Sequence, residues 1–153
     1  MKVEINTTNV MNWASDSGHL ELVNRTEGCT IEAMDGASGG GHLEVVKWLH
    51  VNSKEGCTTQ AMDVASMGGK LEIIKWLHEN RKEGCTHRAM TLASGRGHLE
   101  VVKYLHENRK ECTTNVMDAI EKASMNDNLE ILQYLNSIVK NMNLDSSKVV
   151  RCK

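Results

Sequence analysis

Five cysteines and seven histidines are the residues of this 153-residue chain best suited to hold a metal or to attack a substrate. Their spacing argues against both. Cys29, Cys57, Cys85 and Cys112 recur at steps of 28, 28 and 27 residues, one per unit of a repeating pattern. Equivalent positions on stacked helices stand about 8–10 Å apart. Four thiolates on one zinc ion must each lie about 2.3 Å from the metal, which such a column cannot reach. Disulfides between neighbours are excluded on the same spacing, because their Cα atoms would exceed the limit of about 7 Å. A local set of His78, Cys85 and His87 lacks the paired spacing of a zinc site. Reduced structural thiols are therefore expected, which suits an odd cysteine count without a secretory leader, and no metal or cofactor is expected.

The histidines repeat as well. His19, His42 and His98 follow a turn glycine, and His50, His78 and His106 close the second helix of their units. Catalysis needs one residue in one special environment, whereas copies in the same environment most simply donate to backbone carbonyls. Ser66 and Ser94 match no nucleophile elbow. Trp48, Trp76, Tyr104 and Tyr134 form a column that could stack bases, but they lie on an apolar arc and the formal net charge is −2. Core packing fits them better, and no nucleic-acid partner is expected. Gly39, Gly40 and Gly41 make a helix–helix turn, not a phosphate cradle. The chain thus reads as a non-enzyme.

The elements that position these residues are short helices. GHLEVVKWLH at 41–50 returns as GKLEIIKWLH at 69–78 and GHLEVVKYLH at 97–106, a period of 28 residues. A period of that size marks an array of stacked supersecondary units. In each unit a first helix runs from the threonine after the cysteine, and a second from Gly-His-Leu-Glu onward. Thr30, Thr58, Thr86 and Thr113 are placed to cap the first helix. The glycine pairs 40/41 and 68/69 supply the left-handed turn between the helices. Alignment on Met11, Met34, Met62, Met90 and Met117 gives steps of 23, 28, 28 and 27, so five units are present with irregular ends. Lys47, Lys75 and Lys103 each follow a glutamate by three residues, which reads as a solvated face of ion pairs. No apolar run approaches the roughly 20 residues needed to span a bilayer. MKVEINTTNVMNW at the start carries no apolar core behind its charges, so a cytoplasmic protein is expected.

GHLEVVKWL is similar to the second-helix signature of ankyrin repeats, and AMDVAS at 61–66 resembles their first-helix signature, with methionine at the usual leucine. The resemblance covers about residues 7 to 140 and implies an all-α, helix-turn-helix solenoid with shortened or absent β-hairpin fingers. The family's Thr-Pro-Leu-His tetrapeptide is missing; Ala, Met and Asp occupy its last three places, so its proline and histidine are gone. The unit is also shorter than the family's typical length of about 33 residues. The expected domain is 1–141, with repeats at 7–27 (truncated), 30–54, 58–82, 86–110 and 113–140, followed by a polar, frayed tail at 142–153. Repeat one lacks the equivalent of Lys47 to Val51 and should dock weakly, whereas three extra residues at 118–123 of repeat five make nearly one helical turn and should keep its faces in phase.

Family resemblance implies protein binding, and comparison of the copies suggests where. Second helices barely change, but first helices change at Glu32, Gly36 and Gly39, then Gln60, Val64 and Met67, then Arg88, Leu92 and Gly95. These are i, i+4 and i+7, one stripe opposite the recurring small residues, which stacking would align on the concave side. With Trp13 and Arg96, the residues expected to meet an unidentified protein partner are Trp13, Glu32, Gln60, Val64, Met67, Arg88, Leu92 and Arg96. A monomeric scaffold or adaptor is the expectation; the alternative is an array segment or decoy with no specific partner.

Overall fold

The computed structural model describes residues 12, 14–25, 30–54, 56–113 and 115–150, with the backbone alone at 22, 24, 25, 112, 113 and 142–150. The described residues are helical with no strand: α1 Leu20–Arg25, α2 Ile31–Gly40, α3 Leu43–Asn52, α4 Thr59–Met67, α5 Leu71–Asn80, α6 His87–Arg96, α7 Leu99–Asn108, α8 Val116–Met125 and α9 Leu129–Val150. A 3-10 turn at Lys110–Thr113 separates α7 from α8. It stands where the connector of repeat five lacks the glycine that repeats three and four place at Gly56 and Gly84, both at φ +75°.

Two rows of helices result. The first helices α2, α4, α6 and α8 pack on one another in order, and each second helix packs under its own first helix. The first row is tight because its facing side chains are small: Ala33, Ala37, Ala61, Ala65, Ala89, Ala93, Ala119 and Ala123 are at most 1% exposed. Alanine there costs no rotamer entropy and favours the helix while letting axes approach. Met34, Met62 and Met90 fill the larger gaps, fully buried. The second helices contribute Val45, Val46 and Leu49, then Ile73, Ile74 and Leu77, then Val101, Val102 and Leu105, all buried. Their third outer position is solvated, and Glu44–Lys47, Glu72–Lys75 and Glu100–Lys103 pair there at 2.8, 3.1 and 2.8 Å.

The turn between the helices is built as a socket. Gly18, Gly41, Gly69 and Gly97 all have φ between +68° and +92°, the left-handed region. A Cβ at Gly18 would stand 2.4 Å from the ring of His42, and one at Gly69 would stand 2.6 Å from that of His98. Lys70 and Asn128 sit in the same relation to Gly41 and Gly97. Gly18 and Gly69 are thus required twice, by the dihedral and by the histidine ring of the next repeat.

Three expectations need correction. Met117 is not the counterpart of the buried Met90: it is 64% exposed, and Val116, Ala119 and Ala123 face the core instead. Three residues turn a helix by about 300°, and the downstream turn at Asp127 and Asn128 fixes the register, so the offset falls on the start of α8. The tail is not frayed at Asn141, since α9 continues to Val150. Thr30 makes no cap; its hydroxyl donates to Asn12 Oδ1 at 2.6 Å. Thr58 and Thr86 do cap, accepting from the N–H groups of Gln60 and Arg88 at 3.0 and 3.1 Å. As described, α1 has six residues where α3, α5 and α7 have ten.

Candidate functional site

Residues with catalytic or ligating chemistry are absorbed into the stack. His42 Nε2 lies 2.8 Å from the carbonyl of Asp16 and His98 Nε2 lies 3.1 Å from that of Met67, so both staple one repeat to the one before. Asn128 does the same work in repeat five, donating to the Ser94 carbonyl at 2.8 Å. His50, His78 and His106 meet the edges of Trp76, Tyr104 and Tyr134 at centroid distances of 5.1, 6.0 and 6.0 Å, nearly perpendicular. The aromatic column is therefore partly buried between repeats, engaged by the preceding histidine. Among the described residues no group of three His, Cys, Asp or Glu could hold a metal ion.

Two cysteines differ. Cys57 is a buried free thiol. Burial, with the Glu83 carboxylate nearby, pushes its pKa up to about 11 against a partial offset from Arg81. Such a thiol is inert at neutral pH. Cys85, however, is disulfide-bonded, which corrects the expectation that the thiols are all reduced. Its partner is not among the described side chains. Cys85 sits in a connector, between α5 and α6, to which the spacing of helix axes need not apply.

One set of contacts was not anticipated. Asp35 accepts from the Thr58 N–H at 2.9 Å and from its hydroxyl at 2.6 Å; Asp63 accepts from Thr86 in the same way at 2.9 and 2.6 Å. The aspartate therefore links its own first helix to the cap of the next, in the place where the family's histidine would stand. Repeat four has Thr91 at that position, and its hydroxyl donates back to the His87 carbonyl, 3.2 Å away. The signal was present in the sequence as the shared 28-residue step of the two aspartates and the two threonines.

The first-helix stripe is open to solvent. Glu32, Gln60, Met67, Arg88 and Arg96 are exposed, and Val64 and Leu92 are half-buried; Trp13 lies outside the described residues. Glu32, Gln60, Val64 and Met67 come together on one cavity of about 540 Å³, completed by Asp16, Asp35, Gly36, Gly39 and Gly40. Arg88, Leu92 and Arg96 lie farther along the row, on α6. Glycines make the hollow: a Cβ at Gly36 would be 3.5 Å from the Asp16 Cβ, and one at Gly39 would be 3.1 Å from Val64 Cγ2. Asp16 and Gly40 were missed by comparing copies, the first because it belongs to the truncated unit.

Stacked helix-turn-helix units of one length, with a variable first-helix face and conserved second helices, define a helical repeat solenoid. The family model for ankyrin repeats (3 copies) matches residues 33–115 and 61–146. The chain belongs to the ankyrin repeat family, whose members serve generally as protein–protein interaction modules. Comparison with curated proteins returned no match. Among the described residues no helix is long and apolar enough to cross a membrane.

Proposed function

We propose that this protein is a non-catalytic scaffold or adaptor that binds a protein partner on the concave face formed by its first helices. The observation that carries the reading is the cavity of about 540 Å³ on that face, lined by six of the residues that vary between copies. Val64, Met67 and Leu92 supply apolar area beside Arg88, the kinds of group on which binding energy concentrates. Four repeats at about 10 Å each give a face about 40 Å long, sufficient for the roughly 800 Å² per partner of a standard interface. The reading takes the chain as a monomer. A cytoplasmic setting remains part of it for the free thiol of Cys57, although the disulfide at Cys85 pulls toward a less reducing compartment.

The test is capture of a cross-linked partner from the native cell. Val64, Leu92 and Arg88 changed together to Ser should abolish capture with helical circular dichroism intact. Glu72 and Lys75 changed to Ala remove an exposed ion pair on the opposite side and should shift affinity by no more than about 1 kcal/mol. Loss of the partner in the second variant and its retention in the first would move the site to the second-helix face. A second reading, an array segment with no partner of its own, draws on Met117, Met125 and Leu129, which are 64%, 66% and 65% exposed on the last described unit. Terminal repeats that end an array usually turn a polar face outward. Self-association in sedimentation velocity that disappears on changing Met117 and Met125 to Lys would favour it.

A further inference from the structure

Charge on the first-helix face is divided, and neither half is neutralised. The ion pairs among the described residues engage Lys47, Lys75, Arg81, Lys103 and Arg109, none of them on this stripe. Asp16 and Glu32 stand at the cavity, Arg88 and Arg96 three repeats from the first and two from the second, and no described side chain of opposite charge pairs with any of the four. The described contact of Glu32 is neutral, from Asn12 Nδ2 at 2.8 Å. Two packing steps of about 8–10 Å separate Glu32 from the basic end. That exceeds the Debye length of about 8 Å at physiological salt, so the two ends do not compensate one another.

Gly36 and Gly39 give α2 no side chain here, Asp16 and Val64 pack close against them, and the cavity beside them is lined by Val64 and Met67 as well. The position a Gly36 Cβ would take is 3.6 Å from Asp16 Oδ1, so a chain entering the notch passes under a carboxylate. An apolar slot ending in carboxylates matches one type of side chain: a long aliphatic stem with a cationic head.

We propose that the partner segment carries a lysine or arginine that lies in the Gly36/Gly39 notch with its head at Asp16 and Glu32, and an acidic residue that meets Arg88 and Arg96. This deepens the binding-face reading above and rests on it. About 16–20 Å between the two ends corresponds to five or six residues of extended chain at about 3.3 Å each. The recognised segment is therefore a peptide with a basic and an acidic residue five or six positions apart and apolar residues between them.

A random dodecapeptide library displayed on phage and panned on the full chain tests this. Enriched peptides should show that spacing, and their affinity by fluorescence anisotropy should fall at least tenfold for Gly36→Leu, which fills the notch while favouring the helix. Asp16→Asn with Glu32→Gln should cause a similar loss. Glu32→Arg should recover affinity for a peptide whose basic residue is replaced by glutamate. Enriched peptides without a basic residue, or basic ones indifferent to the notch variants, overturn the proposal. If such peptides still lose binding when Val64, Leu92 and Arg88 become Ser, the face stands and only the partner chemistry is wrong. If they survive that change too, the face is wrong as well. Failure to enrich any peptide also overturns the proposal.

Discussion

Asp63 is a charged residue only 5% exposed, held by two hydrogen bonds from Thr86 of the next repeat. Hydrogen bonds to a charged group are worth about 1.5–3 kcal/mol, and their loss leaves the Thr86 N–H unpaired. Asp63→Ala is expected to cost about 2–3 kcal/mol on this basis. Thr91→Ala, at the equivalent position of repeat four, removes a neutral hydroxyl that donates within its own helix and should cost less, no more than about 1 kcal/mol. Urea midpoints at unchanged slope measure both, and equal losses would mean that the aspartate link contributes nothing between repeats. The link escaped the sequence because its partners lie 23 residues apart, in different units, while capping logic looks only a few residues ahead. The bonding of His42 and His98 to carbonyls was legible, because copies in one environment share one simple role. Cys85 was not, since a period in the sequence says nothing about how far a connector departs from the helix spacing.

At the level of elements, the uneven length of the second helices sets where the stack is strong. Leu77 is 1% exposed at the centre of α5, whereas Leu20 at the start of the six-residue α1 is 36% exposed. Leu77→Ala should therefore cost about 2–5 kcal/mol and Leu20→Ala much less, read as shifts in urea midpoint. Comparable losses would show that repeat one is packed as firmly as repeat three. Helices were the most legible part of the chain, because apolar spacing, turn glycines and repetition agree at each level. Register in α8 was not, because counting from Met90 assigns the methionine slot to Met117, whereas the turn that follows the helix determines which face is buried. Of the proposed binding face, the stripe on α2, α4 and α6 rests on what changes between copies. The notch could not: Gly36 and Gly39 read as variable positions until Asp16 and Val64 were seen on either side.

For the described helices the main contacts run between neighbouring repeats, so stability should be graded along the stack and not uniform. Amides of α4 and α6, flanked on both sides, are expected to exchange at least about tenfold more slowly than those of the six-residue α1. Native-state hydrogen exchange read by mass spectrometry provides the check. Uniform protection from α1 to α8 would mean that the molecule opens as one unit and that the truncated repeat is no weaker than the rest.

The glycine sockets have a consequence for how such a chain can be inherited. Repeat three carries both halves of its junctions: Gly69 receives His98 while Lys70 covers Gly41, and Asp63 receives Thr86 while Thr58 approaches Asp35. A copying error that duplicates or removes 28 codons in frame therefore creates a junction whose two sides already fit, whatever point in the unit it begins from. An error of any other length separates a socket from its occupant. The genome can thus lengthen or shorten this protein without redesigning it, and the first-helix stripe gains or loses one row of residues each time.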